Sequence, residues 1–396
     1  MKVLLINVVS AIRSTGRICS DLADALIERG NDVLIAYGRY DVPEKYRDIS
    51  VCFASEAEVA ASALEARLRD NAGFSNKAST YKLIEEIKRY DPDVIHLHVL
   101  HGYWLNVEIL FDYLRTCGKK IIWTFHDCWA FTGHCAFFDF VNCDRWQTRC
   151  FNCPAKGEYP ASALADRSKE NFDKKKSLFT GIPDMTVVTP SFWLAELVKK
   201  SFLKDYHVKV IPNGIDTDIF RRNEQTENIA DGLREMYGLQ GKKVVIAVST
   251  SWDRRKGLPE YCKLADILGD DYQMAVIGLP EDKIKALPEN VLGISRTDSP
   301  LQLAGFYVLA DAYVNCSFEE NYPTTNLEAV ACSCPVITYD CGGSGESASL
   351  YGAVVPKGDI EAMADVIFNI DNLLPQEPNS YDLSKKAMTD KYLELY

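Results

Sequence analysis

The chain has 396 residues, 47% apolar and 25% charged, which is long enough for two domains with sizeable cores and too ordinary in composition for a disordered or fibrous protein. Lys and Arg total 44 against 56 Asp and Glu, a net charge of -12, which argues against nucleic acid as a partner. No run reaches about 18 uncharged apolar residues, so no membrane span is expected, and 13 cysteines without a secretory signal point to a reducing, cytoplasmic compartment.

Residues 2–9 are a continuous apolar run, too short for a secretory leader and followed by no small-x-small cleavage site, and so read as a buried first strand. A polar turn, Ser14-Thr15-Gly16, leads to apolar residues at helical spacing over 18–29, with Gly30 as the closing residue. A strand at 32–37, a helix at 81–90, a strand at 94–98, a helix at 107–116 and a strand at 120–124 continue the alternation. Strands at 244–248, 274–277, 312–315 and 336–339 form a second series. Strands alternating with helices predict an α/β protein of two Rossmann-like, doubly wound domains. The expected division is 1–207, with a Cys-rich insertion at 128–154, then 208–378, then a helical segment 379–396 that can pack back on the first domain. Ligands of open parallel sheets bind beyond the carboxyl ends of the strands, so two such sheets facing one another would leave a central cleft.

The unusual residues collect in loops that follow strands. Gly16, between the first strand and the first helix, is placed where a helix N-terminus can meet a phosphate; a plain capped turn is the alternative. His126-Asp127 follows the strand at 120–124, so the His126 imidazole should reach a ligand, with a packed structural histidine as the alternative. His96 and His98 share one strand face and read as structural. Arg254, Arg255 and Lys256 precede Gly257 in the loop after the first strand of the second series, and cations there suit a diphosphate. Glu320 and Glu328 are eight residues apart, with residues 321–326 reading as a loop and 327–331 as a helix start; a carboxylate there can accept paired hydroxyls, as from a ribose. Lys174-Lys175-Lys176 reads as a solvated helix face, with docking at an anionic membrane surface as the alternative.

In order and spacing, Ile211-Pro212-Asn213-Gly214-Ile215-Asp216, Arg255-Lys256-Gly257, Glu320 to Glu328, and Pro335-Val336-Ile337 before Gly342-Gly343 resemble the retaining glycosyltransferase family of GT-B fold known as family 4. His126-Asp127-x-Trp129-x-Phe131-Thr132-Gly133 is similar to the subgroup found in bacterial capsule, exopolysaccharide and colanic-acid-type biosynthesis. The resemblance covers nearly the whole chain and implies transfer of a sugar from a UDP- or GDP-sugar to a saccharide or lipid-linked acceptor, without a catalytic metal or organic cofactor. It implies that Lys256 binds the leaving diphosphate, that Glu320 holds donor-sugar hydroxyls and Glu328 the ribose, and that His126 contacts the sugar. Gly16, Asn213, Gly214, Arg254, Arg255, Asn321 and Thr324 complete the implied donor site. Two departures stand out: Thr250 occupies the place where many members carry a second diphosphate-binding Arg, and the paired glycine of the first loop is reduced to Gly16. They keep open a catalytically silent sugar-nucleotide-binding or zinc-stabilised scaffold protein of the same fold.

Cys135, Cys143, Cys150 and Cys153 crowd one loop-like segment, with His134 and Cys128 nearby. Thiolates at such spacings suit a structural tetrahedral zinc; buried free thiols and disulfides are the other two readings.

Overall fold

The computed structural model of the chain describes residues 1–373 and 382–396. It divides into two compact units, Met1–Pro212 together with Met388–Tyr396, and Asn213–Ala387. The expected boundary at residues 378 and 379 lies outside the described residues.

The first unit runs β1 (Lys2–Ile6), α1 (Arg13–Glu28), β2 (Asp32–Tyr37), β3 (Ser50–Cys52), α2 (Glu56–Arg69), α3 (Lys77–Tyr90), β4 (Val94–Leu97), α4 (Val107–Leu114), β5 (Lys120–Thr124), α5 (Ser168–Phe179), β6 (Met185–Thr189), α6 (Phe192–Lys200) and β7 (His207–Val210). Its seven strands are parallel, in the order β3-β2-β1-β4-β5-β6-β7. Both faces of the sheet are covered, and β1 shows how. Leu4 and Ile6 enter one apolar cluster with Trp104 and Phe111, while Val3 and Leu5 enter another with Ile18 and Leu22 of α1. A two-residue period with both phases apolar is why the strand reads as an unbroken hydrophobic run.

The second unit runs α7 (Glu224–Met236), β8 (Lys243–Val248), α8 (Leu258–Leu268), β9 (Tyr272–Ile277), α9 (Glu281–Ile284), β10 (Val291–Ile294), α10 (Pro300–Leu309), β11 (Ala312–Asn315), α11 (Thr324–Ala331), β12 (Val336–Tyr339), α12 (Ser344–Ala348), β13 (Gly352–Val355) and α13 (Ile360–Phe368). Its parallel order is β10-β9-β8-β11-β12-β13. Val244 and Ile246 of β8 face one core, Val245 and Ala247 the other. The last helix, α14 (Lys385–Leu393), gives its residues from Met388 onward to the first unit.

Three local readings change. Helix α1 begins at Arg13 rather than 18, so Ser14-Thr15-Gly16 is its first turn and not a loop; its N-cap, Ile12, offers no side-chain acceptor, and the usual start signal is missing. Strands β3, β10 and β13 are short sheet edges with half-exposed residues, and their apolar patterns are correspondingly faint. Lys175 is not on a solvated face. It is 1% exposed, and its ammonium donates to the Trp129 carbonyl at 2.8 Å and the Thr132 carbonyl at 3.1 Å.

Tyr392 of α14 is buried against Ile18, Leu22 and Val188, and its hydroxyl receives a hydrogen bond from Thr124 Oγ1 at 3.1 Å. Tyr392→Ala is expected to cost about 3–5 kcal/mol in urea unfolding, the usual loss for a large buried aromatic. A loss below about 1 kcal/mol would be that of a surface residue and would show the side chain undocked.

Candidate functional site

In the second unit β8 and β11 are neighbours, with β9 beyond β8 and β12 beyond β11, so the loops leaving β8 and β11 open at the point where strand order reverses. The β8 loop ends in one 3-10 turn, Arg254–Lys256, capped by Asp253: its Oδ1 accepts from Arg255 N and its Oδ2 from Arg255 Nη2, both at 3.0 Å. The Lys256 ammonium donates to Glu320 Oε1 in the β11 loop, with the two side chains 22% and 14% exposed. A cation so placed is partly dry yet reachable by a ligand phosphate. Arg255 lies 3.8 Å from the buried carboxylate of Glu319, and Arg254 is exposed.

Two glycines allow this approach. Gly257 has φ +68°, and a Cβ there would strike the Cys316 carbonyl at the end of β11. Gly342 has φ +57°, and a Cβ there would strike the carbonyl of Glu320 itself. Helix α11 starts at Thr324, three residues before the expected 327, so Glu328 is its fifth residue and not its second. Its buried Oε2 accepts from the Tyr307 hydroxyl at 3.1 Å. Asn326 anchors the helix start: its Oδ1 accepts from Asn315 at 3.1 Å and its Nδ2 donates to Ser347 Oγ at 2.9 Å and Ser344 Oγ at 3.2 Å. Asn321 is buried in the β11 loop, and Asn213 reaches the same loop through the Tyr322 carbonyl at 2.9 Å. Gly214 serves packing, since a Cβ there would meet the backbone of Ser384 and Lys385. The structure thus gathers Lys256, Glu320, Asn321, Thr324 and Asn213 around one loop, with Glu328 a turn and more along α11.

In the first unit, Gly16 lies under the loop of residues 7–12. Ala11 N donates to the Gly16 carbonyl at 3.1 Å, and a Cβ on Gly16 would press on Val9 at 3.0 Å. His126 leaves the end of β5 and meets His98 from the end of β4, His98 Nδ1 to His126 Nε2 at 3.1 Å. His98 stacks in turn on His96, ring centroids 4.1 Å apart. His96 is tied through Nδ1 to the Tyr396 hydroxyl at 2.6 Å and through Nε2 to Thr124 Oγ1 at 2.8 Å. Burial pushes the His96 imidazole down to about 3 and the His126 imidazole to about 4, and carries His98 well below the usual range. All three rings are therefore neutral near pH 7, and His126 is suited to hydrogen bonding rather than to carrying charge. The buried Nε2 of His98 has no hydrogen-bond partner among the described residues, and it borders a small cavity lined also by His101, Trp123, His126, Asp127 and Trp129.

Sequence reasoning gave no role to His101 and Tyr159. His101 Nε2 meets Asp127 Oδ2 at 2.7 Å, and its Nδ1 meets the Tyr159 hydroxyl at 3.0 Å. With the carboxylate as acceptor, Nε2 carries the proton and Nδ1 accepts from the phenol. Burial acts to raise the Asp127 carboxyl, but its electrostatic interaction and hydrogen bond with His101 and the Trp129 N–H outweigh it, leaving it below its ordinary value. The spacing His98-x2-His101 just past a strand end was the available signal for His101. Tyr159 carried none, because it comes from 58 residues further along the chain.

Cys135, Cys143, Cys150 and Cys153 line one small apolar cavity with Phe138 and Trp146. A hydrogen bond from Cys135 brings the Cys153 thiol down to about 7, and Gly133 N donates to Cys150 Sγ at 3.2 Å. Among the described residues no three His, Cys, Asp or Glu side chains are grouped as a metal ion requires, and no helix is long and apolar enough to cross a membrane.

Residues 15–219 match the family described as Glycosyltransferase Family 4, and residues 242–370 match Glycosyl transferases group 1. The chain is 29% identical over 284 residues to the putative colanic acid biosynthesis glycosyl transferase WcaC of Escherichia coli, a match covering 68% of this chain and 65% of that protein. The chain spans less than two thirds of the length of the curated relatives it matches. Among solved structures it resembles a glycosyltransferase from Rickettsia africae, with TM-score 0.68 and 16% identity over 100% of this chain and 97% of that one. It also resembles Anabaena HepE in complex with UDP-glucose, with TM-score 0.69 and 14% identity over 100% and 98%. These likenesses show the GT-B fold.

The histidine array predicts an acid limit. Each ring takes up a proton in the unfolded chain at about 6.5 but resists it in the fold, so the stability held above pH 6.5 is lost as pH falls toward 4. The expected slope is about 1.4 kcal/mol per pH unit for each histidine that stays neutral. Urea midpoints between pH 7.5 and 4.5 check it; His96→Asn should flatten the fall, and an unchanged slope would show the ring to be solvated.

Proposed function

The chain belongs to Glycosyltransferase Family 4, and from that premise we propose that it is a retaining hexosyltransferase that moves a sugar from a nucleotide-sugar donor to a saccharide acceptor in polysaccharide biosynthesis. The observation that carries the reading is the Lys256–Glu320 pair at the strand-order reversal of the second unit. Lys256 takes the donor diphosphate and neutralises the charge that builds on it as the sugar–phosphate bond breaks. Glu320, released from the ammonium by that phosphate, accepts hydroxyls of the donor sugar. Glu328 takes the ribose, held in place by Tyr307, while Arg254, Arg255, Asn321, Thr324, Asn213 and Gly214 frame the nucleotide. The acceptor hydroxyl attacks the anomeric carbon on the face the nucleotide leaves. Its proton passes to the departing phosphate, so configuration is kept and no protein base is required. Within the first unit, neutral His126 is suited to hydrogen-bond a sugar hydroxyl, and the start of α1 at Gly16 to meet a phosphate. UDP-glucose, which Anabaena HepE binds, is the first donor to try. WcaC, named for colanic acid, supports a saccharide or lipid-linked acceptor on a bacterial exopolysaccharide route in the cytoplasm. Contact with a membrane through Lys174–Lys176 loses support, because Lys175 is buried.

UDP-glucose, or whichever nucleotide sugar binds from a panel, should raise the melting temperature of the wild type but not of Glu320→Ala or Lys256→Ala. Turnover of Lys256→Ala is expected to fall about 10²–10³-fold, as when an electrostatic stabiliser is removed. A donor that stabilises both variants like the wild type would refute the assignment, and donor binding without nucleotide release on adding acceptor would favour the silent-binding alternative.

We propose in addition that Cys135, Cys143, Cys150 and Cys153 take a structural zinc. Their shared cavity supports this, although the thiols would have to draw together around the ion, since no three of them are grouped for it in the structure; Lys175, lowered to about 7 by burial and within electrostatic reach of Cys135 and Cys150, would be held in its charged form by the thiolates. Elemental analysis should find zinc in the purified chain and its loss in Cys150→Ser and Cys153→Ser. A folded, metal-free chain with four titratable thiols in the loop would overturn the proposal.

A further inference from the structure

Past the ends of β1, β2 and β4 the first unit holds an unusual run of backbone. Ala11, Arg13, Tyr40 and Tyr103, none of them glycine, have φ of 56°, 59°, 66° and 68°. Such conformations cost about 1–3 kcal/mol each and persist where the surroundings impose them, most often at sites that bind something. Here the bent turns assemble side chains from three separate loops. The Arg13 guanidinium lies 4.4 Å from the centre of the Tyr40 ring, and that of Arg39 lies 4.9 Å from it, with Arg39 Nη2 donating to the Tyr40 hydroxyl at 3.0 Å. Tyr103 stands edge-on to Tyr159, centroids 6.1 Å apart at 77°. Arg39 and Tyr40 are both close enough to act electrostatically on the Tyr159 phenol, so the two aromatic groups form one patch. Tyr40 is 43% and Tyr159 42% exposed. Neither guanidinium forms an ion pair with a carboxylate among the described residues.

Two guanidiniums pinned by an aromatic ring, without an ion-paired carboxylate among the described residues, present forked donors that suit a carboxylate or a phosphate. An exposed tyrosine ring next to them offers an apolar face to the C–H side of a pyranose, and hydroxyls nearby to its oxygens. Neither feature alone specifies a ligand; together they select a sugar that bears a negative charge. We propose that this patch is the acceptor subsite and that the acceptor is an anionic saccharide, its ring against Tyr159 and Tyr103 and its carboxylate or phosphate held by Arg13 and Arg39. This rests on the glycosyltransferase reading and narrows its substrate class. The same placement gives the His101–Asp127 pair a purpose: it fixes the Tyr159 hydroxyl, and with it the ring on which the acceptor lies.

The test is titration of the full chain at low salt with methyl β-D-glucuronide, glucose 1-phosphate and neutral methyl β-D-glucoside, followed by saturation-transfer NMR. At least one anionic sugar should bind about tenfold more tightly than the glucoside, the margin of one charge-assisted contact. Arg39→Gln and Arg13→Gln should each remove most of that margin, Arg39→Lys should restore part of it, and Tyr159→Leu should weaken all three sugars. Preference for the glucuronide identifies a uronic acid, and preference for the phosphate a phosphate-linked sugar. Equal binding of the neutral glucoside, or arginine variants that bind as the wild type does, would overturn the proposal. Melting of the same variants with UDP-glucose separates the two levels. Donor stabilisation intact with no anion preference refutes the patch alone, whereas a wild type stabilised by no nucleotide sugar refutes the glycosyltransferase reading instead.

Discussion

Everything at the strand-order reversal of the second unit hangs on how closely two loops can pass one another. A lysine and a glutamate from the β8 and β11 loops meet only because Gly257 and Gly342 have no side chain where the backbones touch. The first lets the 3-10 turn bearing Lys256 settle on the end of β11, and the second lets the β12 loop cross the carbonyl of Glu320. Any Cβ would have to push one loop away, and a shift of about an ångström at a charged contact is enough to cost much of its catalytic worth. The hydrogen bonds around Asn326 then fix the start of α11, so that Glu328 is held in a set relation to Glu320. Both carboxylates are therefore placed by residues that carry no charge at all.

The parts legible in the sequence are those where one local pattern sufficed. Runs that are apolar on both faces announced β1, β2, β4, β5 and β8, and the residues just after them, His126, the cations before Gly257 and Glu320, fell in loops as strand ends require. The parts that were not legible depend on chain segments far apart. Lys175 sits among three lysines, and only the loop of residues 129–132 folding over it turns one of them into a buried donor. Tyr159 carries no motif, and its meaning comes from His101 and Asp127. Gly16 looked like a loop glycine because α1 starts without a capping side chain. In each case the missing information was a contact, not a propensity.

The two units differ in how they treat charge. Beside β8 and β11 charges are paired and left partly open to solvent, as a site that must exchange an internal partner for a ligand requires. Beside β4 and β5 the polar groups are buried and mostly neutral, linked as histidine to histidine, histidine to tyrosine and histidine to aspartate. Such a network orients groups without offering charge to a ligand. It suits positioning of a neutral hydroxyl, while in the proposed reaction stabilising a departing diphosphate falls to Lys256.

Residues Met388–Tyr396 complete the apolar layer beneath β1 and β5, yet in the chain they follow the whole second unit. Until the whole second unit has been made, the layer on which α1 packs lacks Met388 and Tyr392, and that face of the first sheet is only partly covered. The second unit, Asn213–Ala387, has no such debt and can mature as soon as its own chain is out. The unit that comes earlier in the chain is thus completed after the one that follows it, and in the interval its exposed layer is where a chaperone would find purchase.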